Sequence, residues 1–422
     1  MKSNNAFDVL QYVQSHQRIF IHGGAATPMV LTKALVEHAP RLKDVELIHI
    51  HTMDQATYAD EKFAGSFRVA NLFVGPNMRP KMKEGRVDYL PCFLSEIPNL
   101  FRSGKRPLDV ALIHVSPPDI HGYCTLGTSV DVARAAIDSA KIIIAQINKK
   151  MPRVHGDGFI HMDRIAHFIE IDEPLPESLP GPLGKDELAI GKYIADLIED
   201  GSTLQIGIGS IPDAALANLK DRRHLGLHSE MWSDGALELL KCGAIDNSQK
   251  KVHAGKTVSG FVIGSQALYD FIHDNPSVEQ LDIGYVNNPT TIARNPKVIA
   301  INSAVEIDLT GQICADSVGS KIISGVGGQM DFMRGATLSP GGKPIIALTS
   351  RTRKGISRIV PTLKVGAGVV TTRAHVHYVV TEYGIADLYG KTLHERALAL
   401  IAIAHPEDRV ALEKSWYNKE SL

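Results

Sequence analysis

Short runs of apolar and β-branched residues recur along the chain, and stretches with helical spacing separate them. The runs are VELIHIH (45–51), DVALIHV (109–115), KIIIAQI (141–147), STLQIGI (202–208), VIAIN (298–302), PIIALTS (344–350) and VHYVV (376–380). Continuous apolar runs of this length are typical of strands that are buried on both faces of a parallel sheet. The pattern therefore predicts an open α/β fold with mostly parallel sheets.

A segment rich in proline and glycine, DEPLPESLPGPLG (172–184), interrupts this pattern and predicts a linker. The two halves begin alike, because RIFIHGGAATPMVLTKAL (18–35) and STLQIGIGSIPDAALANL (202–219) each give a strand, a glycine turn, a proline and a helix. We therefore expect two related α/β domains, at residues 1–180 and 185–422.

Composition excludes several classes of protein. The 422 residues carry 45 basic and 46 acidic side chains, and this balance argues against nucleic acid as the main partner. The apolar run ALALIAIA (397–404) is too short to cross a bilayer, and the first residues have no apolar signal core. The four scattered cysteines favour reduced thiols. We expect a cytoplasmic protein that binds neither nucleic acid nor membranes.

The segment LGLHSEMWSDGALELL (225–240) places Glu230 in an unusual setting. An apolar approach precedes this glutamate, the bulky Met231 and Trp232 follow it, and a turn-forming Ser-Asp-Gly comes next. A glutamate on the protein surface does not need such surroundings. The pattern predicts a half-buried carboxylate at the end of a strand, which is a candidate for catalysis.

Two glycine-rich turns are candidates for binding an anion or a developing oxyanion through bare backbone N–H groups. In LQIGIGSIPDA (204–214), Gly207 and Gly209 stand between a strand and a helix that Ser210 is expected to cap. In SGVGGQMDFMRGA (324–336), three glycines precede Gln329 and Asp331. Taken alone, the first turn is better explained as a simple connection in which glycine permits the backbone angles, and the second is also compatible with a plain loop between a strand and a helix. Neither matches the phosphate-binding or dinucleotide-binding fingerprints.

The remaining polar motifs give weaker indications. Glu382 ends the strand VHYVV, where a site residue could stand, whereas Thr392 and Glu395 form a helix capping box on any interpretation. The 18 histidines do not converge with carboxylates or cysteines in a way that predicts a metal site, so none is expected.

Taken together, the motifs resemble the acetyl-CoA hydrolase/transferase family over most of the chain. The blocks VSPPDIHGYCTLGTSVD, QIGIGSIPDA, HSEMWSDG, SGVGGQMDF and TEYGIADLYGKT occur in the order found in that family. The branch that this sequence is most similar to is the 4-hydroxybutyrate and butyrate CoA-transferases. The resemblance implies two open α/β domains of the CoA-transferase type, assembled as a homodimer or a higher homo-oligomer.

The resemblance also implies a mechanism. Glu230 matches the nucleophile of the family, which forms a glutamyl-CoA thioester in a ping-pong exchange of CoA between acetyl-CoA and a short acid, 4-hydroxybutyrate or butyrate. Its oxyanion and active-site positions match Gln205, Gly207 and Gly328. The expected CoA contacts are, in chain order, Gln205, Ile206, Gly207, Ile208, Gly209, Val305 and Gly328. No cofactor is expected to be bound permanently, since CoA is a substrate.

Several points stay open at this stage. His22 and Glu382 are possible site residues, and either Lys343 or Lys354 could meet the CoA phosphates. Thr27 stands where related transferases often carry a glutamate before the proline, which leaves the preferred acid undefined. The alternative function is an acyl-CoA hydrolase on the same scaffold, with water as the acceptor, and a third hypothesis is a CoA-binding protein without catalysis.

Overall fold

A computed structural model describes residues 2–3 and 5–418. The strands are, in chain order, β1 (Arg18–Ile21), β2 (Val45–His49), β3 (Phe67–Asn71), β4 (Val87–Tyr89), β5 (Val110–Val115), β6 (Tyr123–Thr125), β7 (Ile142–Asn148), β8 (His155–Gly156), β9 (Phe159–His161), β10 (His167–Ile171), β11 (Thr203–Ile206), β12 (Gly226–Trp232), β13 (Thr257–Val262), β14 (Val278–Gln280), β15 (Val298–Ser303), β16 (Glu306–Asp308), β17 (Ile313–Cys314), β18 (Ser317–Val318), β19 (Lys321–Ile322), β20 (Lys343–Ala347), β21 (Ile359–Val360), β22 (Tyr378–Thr381) and β23 (Gly384–Asp387).

The helices are, in chain order, α1 (Ala6–Val9), α2 (Met29–Glu37), α3 (Ile97–Arg102), α4 (Ala133–Ser139), α5 (Lys185–Asp196), α6 (Ser210–Ala217), α7 (Asp234–Lys241), α8 (Gln266–Ile272), α9 (Ile283–Val286), α10 (Pro289–Ala293), α11 (Gln329–Leu338), α12 (Leu393–Ala402) and α13 (Pro406–Tyr417). None of the helices in the described residues is long and apolar enough to span a bilayer.

The chain forms two compact units. The first unit contains residues Met1–Ser178 and Val258–Val286, and the second contains Leu179–Thr257 and Asn287–Leu422. The predicted division at 180/185 lies close to the crossing at 178/179. The structure differs from the predicted boundaries in the segment Val258–Val286, which belongs to the first unit. There β14 pairs in parallel with β8, a contact between segments more than 100 residues apart.

The first unit is built on a seven-stranded parallel sheet of order β10-β7-β5-β1-β2-β3-β4. Every residue of β2 and β5 is buried, as the continuous apolar runs predicted for strands covered on both faces. From β1 the chain proceeds to one edge of the sheet and then returns to β5 on the other side. The strand order therefore reverses between β1 and β5.

The main sheet of the second unit has the order β23-β22-β20-β15-β11-β12. Its pairs are parallel except for β22 with β23, which is antiparallel. Here the strand order reverses between β11 and β15. Ligands of open parallel sheets bind beyond the carboxyl ends of the strands at such a reversal. The fold class predicted from the sequence, α/β with mostly parallel sheets in two units, is confirmed.

Packing in the second unit depends on both apolar and glycine positions. Gly191 lets α5 approach α6, because a Cβ there would collide with the backbone of Ala214. At the other end of the sheet, α12 and α13 cover a core to which Val379 and Leu400 belong. The predicted capping box begins α12, with the Thr392 hydroxyl accepting from Glu395 N–H and the Glu395 carboxylate accepting from Thr392 N–H. These contacts hold the helices against the main sheet of the second unit, on which the candidate site lies.

Candidate active site

Glu230 lies near the carboxyl end of β12, where that strand departs from regular pairing with β11. Leu204 pairs with Leu227 and Ile206 pairs with Met231, so two residues of advance along β11 correspond to four along β12. An insertion of this kind bends a strand and re-aims its side chains. Glu230 is half-buried, whereas the residues on either side of it are buried.

Two neighbours of Glu230 hold the irregular strand in place. The Ser229 hydroxyl accepts from Ile206 N–H at 3.0 Å and donates to Ile206 C=O at 3.1 Å, so a side chain replaces part of the backbone ladder. Trp232 is fully buried and anchors the end of β12. The bulky residues after Glu230 in the sequence therefore fix a strand end from which a carboxylate projects, as the sequence pattern predicted.

Gly328 lies directly against the Glu230 carboxylate. A Cβ added at Gly328 would collide with Glu230 Oε2 and with Asn287 Nδ2. Gly328 also stands immediately before α11, whose first residue is tied down because Gln329 Nε2 donates to Ser303 C=O at 2.8 Å. A side chain at this position would have to displace the Glu230 carboxylate and the Asn287 amide. A backbone without a side chain at this point leaves room beside the carboxylate for a ligand to approach.

Asn287 also contacts this carboxylate, and no pattern in the sequence selects it. Its Nδ2 lies 3.2 Å from Glu230 Oε2 and 3.3 Å from Asp331 Oδ2. Asn287 is fully buried. The neighbouring pair Asn288-Pro289 has the pattern of a helix start, and Asn288 does cap α10. In the sequence, Asn288 therefore stands out and Asn287 does not. A donor that reaches a carboxylate on a distant strand has no pattern of its own in the sequence.

The predicted CoA-contacting residues of the first glycine turn run from the last two residues of β11 into the loop beyond it, at the point where the strand order reverses. Gln205 is buried, and its Oε1 accepts from Asn302 Nδ2 at 3.0 Å. Beyond the strand the backbone becomes open, with Ile208 60% exposed and free space around Gly209. Val305, which follows the neighbouring β15, is half-buried. The strand order thus places these residues at the edge where an open sheet binds ligands.

One local prediction for this turn is wrong. Ser210 is the first residue of α6 and does not cap it, because Gly209 occupies the cap position with φ of 131° and no side chain bonds the first turn. That backbone conformation is available essentially to glycine alone. Asp213, in the first turn of α6, has a raised pKa because it is partly buried and Asp234 lies nearby.

Glu382 lies at the end of β22, where its carboxylate accepts from the backbone N–H and the hydroxyl of Ser350. It lines a cavity of about 670 Å³ together with Arg353, Arg358 and Tyr383. Burial lowers the pKa of Arg358, while the charge of Glu382 acts in the opposite direction. Glu382 thus belongs to a pocket of mixed charge at the carboxyl ends of β20 and β22, lined by acidic and basic side chains alike.

The two candidate lysines lie at opposite ends of β20. Lys343 begins the strand, and its Nζ donates to Leu197 C=O at 2.7 Å and to Glu199 Oε1 at 2.9 Å. Lys354 is exposed in the tight turn at 352–355 that follows the strand. Only Lys354 lies at the carboxyl edge of the sheet, on the same side as Glu230 and Gly207.

His22 follows β1 in the first unit and is fully buried. Its Nε2 bonds the carbonyl of Ser129 at 2.6 Å and its Nδ1 accepts from His114 N–H at 3.2 Å. Burial lowers the pKa of His22 to about 4, so its ring is neutral at pH 7. Both nitrogens are used within the protein, which favours a structural role for the ring over contact with a substrate.

Comparisons with known proteins agree over nearly the whole chain. The acetyl-CoA hydrolase/transferase N-terminal domain matches residues 1–178, and the C-terminal domain of that family matches residues 264–416. The succinyl-CoA:acetate/propanoyl-CoA:succinate CoA transferase of Fasciola hepatica is 51% identical over 99% of this chain and 88% of that protein. The 4-hydroxybutyrate coenzyme A transferase of Clostridium kluyveri is 50% identical over 95% of this chain and 94% of that protein.

A solved structure is also similar. The crystal structure of 4-hydroxybutyrate CoA-transferase from Porphyromonas gingivalis superposes with a TM-score of 0.83 and 38% sequence identity, covering 99% of this chain and 97% of that one. The similarity extends across both units.

Proposed function

The chain belongs to the acetyl-CoA hydrolase/transferase family and is a CoA-transferase, and we propose that it moves CoA between short-chain carboxylic acids, with 4-hydroxybutyrate or butyrate as one partner and acetyl-CoA as the other. The observation that carries the proposal is the half-buried Glu230 carboxylate with the Asn287 amide and the bare Gly328 backbone against its Oε2. The family resemblance read from the sequence is confirmed.

In the first half of the proposed reaction, a Glu230 oxygen attacks the acyl carbon of the acyl-CoA. The C–S bond breaks, and a mixed anhydride and CoA thiolate are formed. The thiolate then attacks Cδ of Glu230, which expels the first acid as a carboxylate and leaves a glutamyl-CoA thioester. Covalent catalysis of this kind divides one difficult exchange into easier steps.

In the second half, the carboxylate of the acceptor acid attacks Cδ of Glu230 and expels CoA thiolate, forming a second mixed anhydride. The thiolate attacks the acyl carbon of this anhydride, which gives the new acyl-CoA and restores the Glu230 carboxylate. A carboxylate suits this role because the free energy of the thioester is kept as one acid replaces another. The exchange needs no permanently bound cofactor.

Each attack places negative charge on an oxygen that a donor must stabilise. When the glutamyl carbon is attacked, that charge develops on an oxygen of Glu230. Asn287 Nδ2 is within hydrogen-bond distance of Oε2 already in the resting carboxylate. A donor fixed before the reaction is worth about 3–4 kcal/mol of barrier. We assign this role to Asn287, with the Gly328 backbone beside it.

CoA carries its thiol and its phosphates at opposite ends of a long arm. With the thiol at Glu230, the arm crosses the carboxyl ends of β11 and β15, where residues 205–209 and Val305 lie. The strand β20 is three positions from β12, a distance of about 14 Å at ordinary strand spacing. We assign the phosphates to the basic loop that contains Arg353 and Lys354.

The choice of acid follows from the relatives. Two similar proteins are named as 4-hydroxybutyrate CoA-transferases, and a third is named for succinate, acetate and propanoate. Thr27 stands at a position in the first unit where related transferases often carry a glutamate. Its hydroxyl is occupied by donation to Gly24 C=O and by accepting from Met53 N–H.

The test is a transfer assay with purified protein, acetyl-CoA and separate acids, namely 4-hydroxybutyrate, butyrate, propanoate and succinate. We expect new acyl-CoA of the matching mass, with 4-hydroxybutyrate or butyrate giving the highest kcat/KM. Release of free CoA at one rate with and without an acceptor acid would support the hydrolase instead.

A further inference from the structure

One buried amide is shared by two carboxylates in the second unit. Asn287 Nδ2 lies 3.2 Å from Glu230 Oε2 and 3.3 Å from Asp331 Oδ2. Asn287 is fully buried and Asp331 is 5% exposed. The mechanism proposed above uses Glu230 and Asn287 and assigns nothing to Asp331.

The chemistry of these groups fixes which side of the amide faces the carboxylates. An ionised carboxylate only accepts hydrogen bonds, so the amide atom within reach of both must be the nitrogen. The other side of the amide has no such partner, because Asn287 Oδ1 is buried without a hydrogen bond to any described residue. An unsatisfied buried acceptor costs free energy, so the contacts that hold this amide are those of its nitrogen with the two carboxylates.

During the reaction one of those charges disappears. In the mixed anhydride and in the glutamyl-CoA thioester, Glu230 is an acyl group with no negative charge. The hydrogen bond between Glu230 and the Asn287 amide is then weak. At this same stage a donor must face the glutamyl carbonyl oxygen. Asp331 takes no part in the bond changes, so its carboxyl group stays beside the amide throughout the cycle.

We propose that Asp331 is a positioning residue, which holds the Asn287 amide nitrogen toward Glu230 while Glu230 is acylated. The inference rests on the proposed glutamyl-CoA mechanism. Asp331 reaches its place because Gly328 and Gln329 begin α11 beside Glu230, which puts the third residue of the helix next to Asn287. The role of Asp331 therefore depends on the same glycine that makes room for the ligand.

A simpler role for Asp331 is stabilisation of a helix end. Acidic residues in the first turn stabilise a helix through its dipole, and Asp331 is the third residue of α11. The chain offers a matched comparison, because Glu395 is the third residue of α12 and accepts bonds only within its own capping box. The two roles predict different effects on catalysis.

The experiment compares Asp331→Asn, Asp331→Ser and Glu395→Gln with the wild type. Asparagine keeps the size of the side chain but can also donate to Asn287 Oδ1, so it no longer fixes the amide. Each enzyme is mixed with acetyl-CoA alone and then with butyrate, and butyryl-CoA is followed in a single turnover. For both Asp331 variants we expect kcat and the single-turnover rate to fall by roughly 10²-fold, the loss typical of one oxyanion donor. KM for acetyl-CoA should stay unchanged, and Glu395→Gln should keep the wild-type kcat.

Other outcomes are distinguishable. A lower melting temperature with kcat near the wild-type value in both Asp331 variants would show that Asp331 only stabilises the helix. A rise in KM at constant kcat would assign it to binding and would also overturn the proposal. If the wild type itself forms no glutamyl-CoA, the proposed function fails, whereas normal wild-type turnover with unaffected Asp331 variants refutes this inference alone.

Discussion

Two glycine turns of similar sequence follow the first strand of each unit, and they differ in what surrounds them. After β1, residues 21–28 are all buried. Gly24 N–H donates to His51 C=O at 2.9 Å, and the Thr27 hydroxyl donates to Gly24 C=O at 2.7 Å. After β11, the turn is open, with Ile208 and Gly209 exposed. The same order of strand, glycine, proline and helix thus gives one closed turn and one open turn.

The difference indicates which of two related sheet edges stabilises the fold and which is available for catalysis. The carboxyl edge of the first unit uses its polar groups internally, as His22 and Thr27 do. The carboxyl edge of the second unit holds a half-exposed carboxylate, a glycine against it and an open turn. We therefore expect substitutions at the second edge to impair catalysis at little cost in stability, and substitutions at the first edge to do the reverse.

The largest effect should come from Gly328→Val. A branched side chain would collide with Glu230 Oε2 and Asn287 Nδ2, so turnover should fall below detection while the protein stays folded. Activity is measured by the transfer assay and folding by thermal melting. Gly181→Val is the control, because a Cβ at Gly181 meets no heavy atom within 4 Å. Near-normal kcat in Gly328→Val with an unchanged melting curve would show that this turn is only a connector.

Asn287→Ala should have the next largest effect. Removing one preorganised donor lowers kcat by about 10²–10³-fold. Asn218→Ala serves as a control, since Asn218 caps the carboxyl end of α6 and its Nδ2 donates to Ala214 C=O. The two variants are compared by kcat and by melting temperature. Equal losses of kcat in both would mean that the Asn287 effect is not specific to its contact with Glu230.

A smaller effect is expected from the lysines at the two ends of β20. Lys354→Ala removes a cation from the basic loop, and the loss of about 1 kcal/mol of phosphate binding should raise KM for acetyl-CoA roughly fivefold. Lys343→Ala removes contacts with Leu197 and Glu199 and should leave KM unchanged. The opposite pattern would place the phosphates at the other end of the strand.

The smallest effect on activity should come from substitutions in the two glycine turns that follow β1 and β11. Ile208→Ser exchanges an exposed apolar side chain in the open turn, and we expect KM for acetyl-CoA to rise by about two- to fivefold with no change in melting temperature. Ala26→Val adds volume to the closed turn, where Ala26 is fully buried, and should cost about 1–3 kcal/mol of stability. Steady-state kinetics and denaturant unfolding measure the two effects, and the same response from both variants would remove the distinction between the turns.

Much of the fold and part of the candidate site could be predicted from local patterns in the sequence. The buried strands follow from continuous apolar runs, the start of α12 follows from its capping box, and Glu230 follows from its unusual neighbours and the family blocks. These features depend on residues close together in the sequence. The cytoplasmic location and the homo-oligomeric state stay predictions.

The parts that sequence reasoning missed depend on distant residues. Asn287 contacts Glu230 from a position 57 residues further along the chain, and Asp331 contacts Asn287 from 44 residues beyond that, which no local pattern records. The segment Val258–Val286 belongs to the first unit because it pairs there, and its composition gives no sign of this. Ser210 was predicted as a cap because its residue type is right, but the φ angle of Gly209 shifts the helix start by one residue.

The central claim is that Glu230 is the nucleophile, and chemical trapping tests it most directly. The enzyme is incubated with acetyl-CoA without an acceptor and then treated with borohydride, which reduces a thioester but not a free carboxylate. The account predicts loss of activity and a reduced side chain at Glu230 in the peptide containing HSEMWSDG. It also predicts that Glu230→Gln binds CoA, is not labelled and has kcat lower by roughly 10⁴-fold or more. A label on another glutamate, such as Glu382, or substantial turnover by Glu230→Gln, would contradict the assignment.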